Sequence, residues 1–151
     1  MMKQVGRFVQ LSPAERRLFL KAGGAVVAVR LGLWILPFPR LRRIVAGLAR
    51  RPEAHPLALC AYPAPQRIVR AVVLVSRYVP AATCLTQAMA AQVLLARYGY
   101  TTSLRIGVAK GERGQLLAHA WLESEGRVVI GGSEADLKQY VSLPTLDEAS
   151  L

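Results

Sequence analysis

Hydrophobic positions follow two periods along this chain. From Ser12 to about Gly99 they recur at helical spacing, and from Thr101 to Ile130 they alternate with polar residues. Ser12-Pro13-Ala14-Glu15 opens the first predicted helix, with a serine cap, proline at the first helical position and a glutamate closing the capping box. Apolar residues then surround it on nearly every side as far as Leu36. Gly23-Gly24 is the expected weak or kinked point, and Pro37 the stop. A second helix is expected from Pro39 through Leu41, Ile44, Val45 and Leu48. Arg40, Arg42, Arg43, Arg50 and Arg51 lie on its outer face or ends. Residues 52–65, with four prolines, read as a loop. Ile68, Val69, Val72, Val73, Val75 and Val79 trace a third helix, although so dense a β-branched run also suits a strand. Thr83 caps a fourth helix rich in Ala, Leu, Met and Gln, with Gly99 just past its end.

In the alternating part, Thr102, Leu104, Ile106 and Val108 oppose Ser103, Arg105 and Gly107. A turn at residues 110–114 leads to a strand from Gln115 to Glu123, and a tight turn at Ser124-Glu125-Gly126 to a third strand, Arg127 to Ile130. The three form an antiparallel meander. Gly131-Gly132-Ser133 breaks it, Glu134 to Tyr140 is expected to make a helical turn, and the tail after Pro144 to be loose. The expected class is α+β: a Cys84-bearing helix packed on the meander. A basic, apolar helical region over residues 1–79 precedes the core at 80–151, the two making one compact unit.

Composition sharpens the division. The 151 residues are 53% hydrophobic, with a mean hydropathy of +0.30 and a net charge of +11. Residues 1–83 hold 14 Lys/Arg against Glu15 and Glu53, whereas residues 84–151 hold six against seven Asp/Glu. A basic front suits an acidic partner, an anionic membrane surface or nucleic acid. No zinc spacing, ribonucleoprotein aromatic signature or helix-turn-helix supports nucleic acid. The first eleven residues lack the continuous apolar run of a signal peptide. The stretch from Ala22 to Pro39 is short for a span and carries Arg30, so a buried or partner-facing helix is expected. Two cysteines without an export signal point to a reducing cytoplasm.

Chemistry concentrates at two residues. Cys84 falls in the first turn of the fourth helix, where unpaired N–H groups and the positive end of the helix dipole favour a thiolate. His119, mid-strand, is the candidate base, and Trp121 shares its face, placed to shield the site and line the substrate. A cysteine opening a helix and a histidine on a later strand is the arrangement of papain-like thiol enzymes. His55 and Cys60, in the proline-rich loop, lack a third group for a metal or catalytic site and read as a loop histidine and a small buried cysteine. No metal site is expected.

Several blocks together, Cys84-Leu85-Thr86-Gln87-Ala88, Leu104 to Val108, Ala118-His119-Ala120-Trp121-Leu122-Glu123 and Gly126 to Gly132, resemble the transglutaminase-like cysteine proteases of lasso peptide biosynthesis. These are leader peptidases related to the microcin-processing protein. The likeness covers residues 84–143 well and the front, with Pro37-Phe38, more loosely. It implies a papain/transglutaminase-like core and a stand-alone form working with a separate leader-recognition protein. It further implies a precursor peptide as substrate and an ATP-using macrocyclase acting afterwards, with no cofactor in this chain. Cys84 matches the nucleophile and His119 the base. An acidic third member is expected about a dozen residues after the histidine, but positions 131 and 132 are glycine. Glu123 lies about 13 Å along the strand from His119, too far to hold the imidazole. Glu134 or Asp136 folding back from the turn, Asp136 preferred, and orientation by a backbone carbonyl all stay open. The Cys84 backbone N–H is the natural oxyanion donor, with Gln66 and Tyr78 as side-chain candidates.

On this reading Arg42 and Arg43 bind an acidic leader; the plainer reading is a solvated helix face. Two other readings compete: a catalytically idle adaptor between precursor, recognition protein and cyclase, and a peripheral membrane protein anchored through residues 22–51. The expected location is cytoplasmic, with membrane association on the last reading.

Overall fold

The computed structural model describes residues 12–49 and 63–143, and the arginines at 50 and 51, His55, Cys60 and the tail after residue 143 lie outside them. Four long helices precede a small sheet: α1 (Pro13–Ile35), α2 (Phe38–Ala49), α3 (Pro65–Ser76) and α4 (Cys84–Arg97). Then come β1 (Ser103–Lys110), β2 (Leu116–Ser124), β3 (Arg127–Ile130), the single turn α5 (Glu134–Leu137) and β4 (Val141–Ser142). The α+β architecture expected from the two periodicities is the one observed.

The capping box foreseen at Ser12 forms, with Glu15 N donating to Ser12 Oγ at 3.3 Å and Ser12 N to Glu15 Oε2 at 3.0 Å. Arg67 reaches the same carboxylate, Nη2 to Oε1 2.7 Å, tying α3 to the start of α1. Helix α1 runs unbroken through Gly23-Gly24 rather than kinking there. A Cβ at Gly23 would stand 3.5 Å from Val75 of α3, an ordinary packing distance, so tertiary packing overrides the weak propensity. Gly32 is tighter: its Cβ would come within 2.7 Å of Leu41 Cδ1, so glycine lets α2 fold back against α1. The β-branched run from Ile68 resolves as helix α3, with Ile68, Ala71 and Val72 buried.

Helix α4 is the centre of the packing. Ala88, Ala90, Ala91, Met89 and Leu95 are almost wholly inaccessible, and they share one hydrophobic core with Leu18, Ala22, Val26 and Val29 of α1, Leu41 and Val45 of α2, and Ile68 and Val72 of α3. Small side chains on several sides of one helix let the others approach closely. The same core takes in Leu104, Ala120, Leu122 and Ile130 from the sheet. It therefore spans both sides of residue 80.

The sheet has the order β3-β2-β1-β4. Leu104 faces Leu122 and Gly107 faces His119 across the β1–β2 ladder. The two-residue β4, too short to leave a periodicity in the sequence, pairs with β1 through Val108–Val141 and Gly107–Ser142. Helix α1 alone among the described helices is long and apolar enough to cross a membrane. Its Leu18, Ala22, Val26 and Val29 are committed to the core.

Candidate active site

The turn that feeds α4 is held from two directions. Ala81 adopts a left-handed φ of 56°, which bends the chain sharply before the cap. Arg30 of α1 donates from Nε to the carbonyl of Pro80 at 3.4 Å. Thr83 then caps the helix in a reciprocal box: Thr86 N donates to Thr83 Oγ1 and Thr83 N to Thr86 Oγ1, each 3.4 Å. Cys84 follows as the first helical residue, half-buried and a free thiol. At the far end Gly99, φ 78°, closes a Schellman motif, Gly99 N to Ala96 O 2.9 Å and Tyr100 N to Leu95 O 3.0 Å. Both ends of the helix were legible in the sequence. One turn inside the start, Gln87 donates from Nε2 to the buried Ser76 hydroxyl at 2.9 Å, and that hydroxyl donates on to Val73 O at 2.8 Å. This polar chain joins the Cys84 helix to α3.

Removing the Thr83 hydroxyl tests this cap. Thr83→Ala is expected to lower stability by about 1 kcal/mol, read as a shift in the denaturation midpoint.

His119 sits in β2 with Leu117, Trp121 and Glu123 on its face of the sheet, while Ala120 and Leu122 project the other way into the helical core. Its Nε2 lies 2.5 Å from the carbonyl oxygen of Gly131. A carbonyl only accepts, so Nε2 carries the proton. In the neutral ring Nδ1 is then the nitrogen with the free lone pair, and among the described residues it makes no hydrogen bond. Trp121 stacks at 6.5 Å between ring centres with 19° between planes, and Tyr140 lies at 5.4 Å. Trp121 is buried, its Nε1 donating to Glu123 Oε1 at 2.8 Å, and the other oxygen of Glu123 accepts from Arg105 Nε at 3.2 Å. Glu123 thus acts on the indole beside the histidine.

Two glycines make room for this cluster. A Cβ on Gly107 would fall 2.8 Å from the Trp121 ring and 3.0 Å from Tyr140 Cβ. On Gly131, φ 110°, it would fall 2.5 Å from Trp121 Cβ and 2.7 Å from its Cα. Any side chain at position 131 would displace the strand that carries His119. The Gly131 carbonyl stands a dozen residues after His119, at the place in the chain where an acid is expected.

The Asp136 carboxylate is engaged by Ser133. Its Oδ2 accepts from Ser133 Oγ at 2.5 Å and Ser133 N at 3.2 Å, capping α5. These hydrogen bonds hold the exposed Asp136 carboxyl below its ordinary 3.8. A depressed carboxyl stabilises the fold above its unfolded value and loses that contribution as pH falls through the folded one. The cap is therefore expected to open only under acid. Following the Ser133 amide through an NMR pH titration, with Asp136→Asn as the variant that no longer titrates, checks this.

Glu134 is exposed at the start of the same turn. Arg43 is exposed on α2 with Nε 3.4 Å from Pro39 O, and Arg42 is half-buried beside it. Of the side-chain oxyanion candidates, Gln66 is exposed in the first turn of α3 and Tyr78 is 68% exposed just past its end. The structure brings His119, Trp121, Glu123 and Arg105 together. Helix α4 packs on β2, but no hydrogen bond links Cys84 to His119 among the described residues. Tyr140 left no sequence signal, because its approach depends on a strand of two residues. Among the described residues no group of three His, Cys, Asp or Glu is placed to hold a metal ion.

The pattern of the transglutaminase-like superfamily matches residues 24–145, and this chain belongs to that superfamily. No curated protein and no solved structure gives a match.

Proposed function

We propose that this member of the transglutaminase-like superfamily is a cysteine peptidase that removes the leader from a ribosomally made lasso peptide precursor. It acts with a separate leader-recognition protein and hands the core peptide to an ATP-using macrocyclase. The observation that carries the thiol chemistry is the hydrogen bond of His119 to the Gly131 carbonyl. With Nε2–H committed to Gly131 O, the imidazole presents Nδ1 as a base, the role a third catalytic member otherwise secures. The lasso substrate rests on the resemblance of the blocks around Cys84, His119 and Gly126–Gly132.

In the proposed reaction Nδ1 takes the proton from Cys84, and the thiolate adds to the carbonyl carbon of the leader–core junction. The Cys84 backbone N–H, unpaired at the helix start, faces the oxyanion. Collapse expels the core peptide's amine with a proton from the imidazolium. Water, deprotonated by Nδ1, then releases the leader as a carboxylic acid. The reading requires thiol and imidazole to meet on the substrate, as catalytic hydrogen bonds that are long in a free enzyme do. Arg42 and Arg43 are the proposed contacts for an acidic leader, tested by charge reversal with processing as the readout.

Incubating the precursor with this chain and the recognition protein, followed by mass spectrometry, tests the proposal. Two fragments summing to precursor plus one water are expected; intact precursor in the presence of a folded chain overturns it. Asp136→Asn is expected to leave the cleavage rate within about twofold, whereas a tenfold loss with unchanged stability would assign Asp136 to the imidazole during turnover. The separation of Cys84 from His119 in hydrogen-bond terms favours one second reading, a catalytically idle adaptor in the same maturation complex.

A further inference from the structure

Helix α1 is apolar on two opposite sides. Leu18, Ala22, Val26 and Val29 enter the core, while Leu20, Val27, Leu31, Trp34 and Ile35 form a second stripe at helical spacing, 44–80% exposed. The exposed face carries no charge from Gly24 to Ile35. Arg30, the lone charged residue in that stretch, is half-buried and bonds the Pro80 carbonyl. After the two-residue joint at Leu36-Pro37, helix α2 continues with exposed Ile44 and Leu48, 50% and 48%. The flanks are cationic: Arg17 before the stripe, Arg40 and Arg43 after it, while Lys21 is turned onto Tyr98. Residues 12–49 contain seven Lys/Arg and a single acid, Glu15, which is paired with Arg67.

We infer that this face of α1 and α2 docks on an anionic lipid bilayer and lies in its plane. Bare aliphatic side chains, a tryptophan 80% exposed and flanking cations without acids are what such an interface selects. Charge complementarity favours lipid: cations at both ends of an uncharged apolar stripe, Arg17 before it and Arg40 and Arg43 after it, match a continuous plane of anionic headgroups. Although α1 is long and apolar enough to cross a bilayer, spanning would pull Leu18, Ala22, Val26 and Val29 out of the core. The inference does not depend on the peptidase reading.

Flotation of the full chain with phosphatidylglycerol/phosphatidylcholine vesicles, against vesicles of phosphatidylcholine alone, is the test. The chain is expected to float with the anionic vesicles and to be released by high salt. Arg40→Glu/Arg43→Glu is expected to weaken binding by about tenfold or more at low salt. Leu31→Ser/Trp34→Ser is expected to weaken it similarly at any salt. Lys110→Glu/Arg113→Glu, on the β1–β2 turn, should bind as wild type does. All these side chains are outside the core, and melting curves identify any variant that fails to fold. Because the only other tryptophan, Trp121, is buried, a blue shift of emission on adding anionic vesicles reports Trp34. Trp34→Phe should keep the binding and lose the shift. A wild-type chain that stays at the bottom of the gradient, or a stripe variant that floats equally, overturns the inference. The stripe would then be a protein-covered surface.

Discussion

Cys84→Ala is expected to abolish leader release, a loss of about ten-thousandfold or more, while leaving the melting curve close to that of the wild type. The thiol lies in the first turn of a helix whose cap is made by Thr83 and Thr86, so its removal leaves α4 standing and takes away only the proposed nucleophile. His119→Ala should cost nearly as much, since nucleophile and base act as one unit and their losses do not add. Cys60→Ala is the control and should process the precursor normally. Precursor cleavage followed by mass spectrometry, with the recognition protein present, reads all three. Survival of cleavage in Cys84→Ala would make this chain the adaptor and place the protease elsewhere in the pathway.

The second large effect is expected at a residue with no side chain. Gly131→Ala should destabilise the protein by about 3 kcal/mol or more and remove activity with it. The position has φ 110°, and a methyl there meets Trp121 Cβ at 2.5 Å, Trp121 Cα at 2.7 Å and Ala120 O at 2.9 Å. Backbone atoms cannot swing aside as a flexible chain end does, so β3 must move away from β2. That movement takes the carbonyl from His119 Nε2. Gly132→Ala separates strain from collision. Its φ of 116° is equally unfavourable, but its nearest neighbour is Asp136 Cβ at 3.9 Å. It should cost only the conformational part, about 1–3 kcal/mol, and leave processing largely intact. Denaturant midpoints for the two variants, compared with their cleavage rates, check the prediction. Equal destabilisation by both would show that the contact with Trp121 is relieved without cost.

Local chemistry made much of this molecule legible beforehand. The box at Ser12, the Thr83 cap and the glycine at 99 are written in residues within three or four positions of one another, because helix ends are satisfied by their own neighbours. The change from helical to alternating period set the place where helices give way to the meander. Cys84 was therefore assignable to a helix start and His119 to mid-strand from the sequence alone. The sequence also carried the charge asymmetry between front and back and the glycines at 131 and 132.

Tertiary structure decided what holds the imidazole. No local pattern relates residue 119 to the carbonyl of residue 131, which is brought to it by the β2–β3 pairing and its irregular register near Leu122. A backbone acceptor leaves no residue type to recognise, whereas the acids at 134 and 136 were visible but are placed by their own short turn, where Ser133 engages Asp136. Tyr140 reaches the ring only because β4 pins its segment to β1. The same distinction governs α1. Its composition announced a helix apolar all round, but which stripe is buried follows from α3 and α4, which cover Ala22 and Val26 and leave Leu31 and Trp34 in the open. Sequence near neighbours determine where an element begins and ends; packing between distant segments determines which face it hides and which atoms its side chains meet.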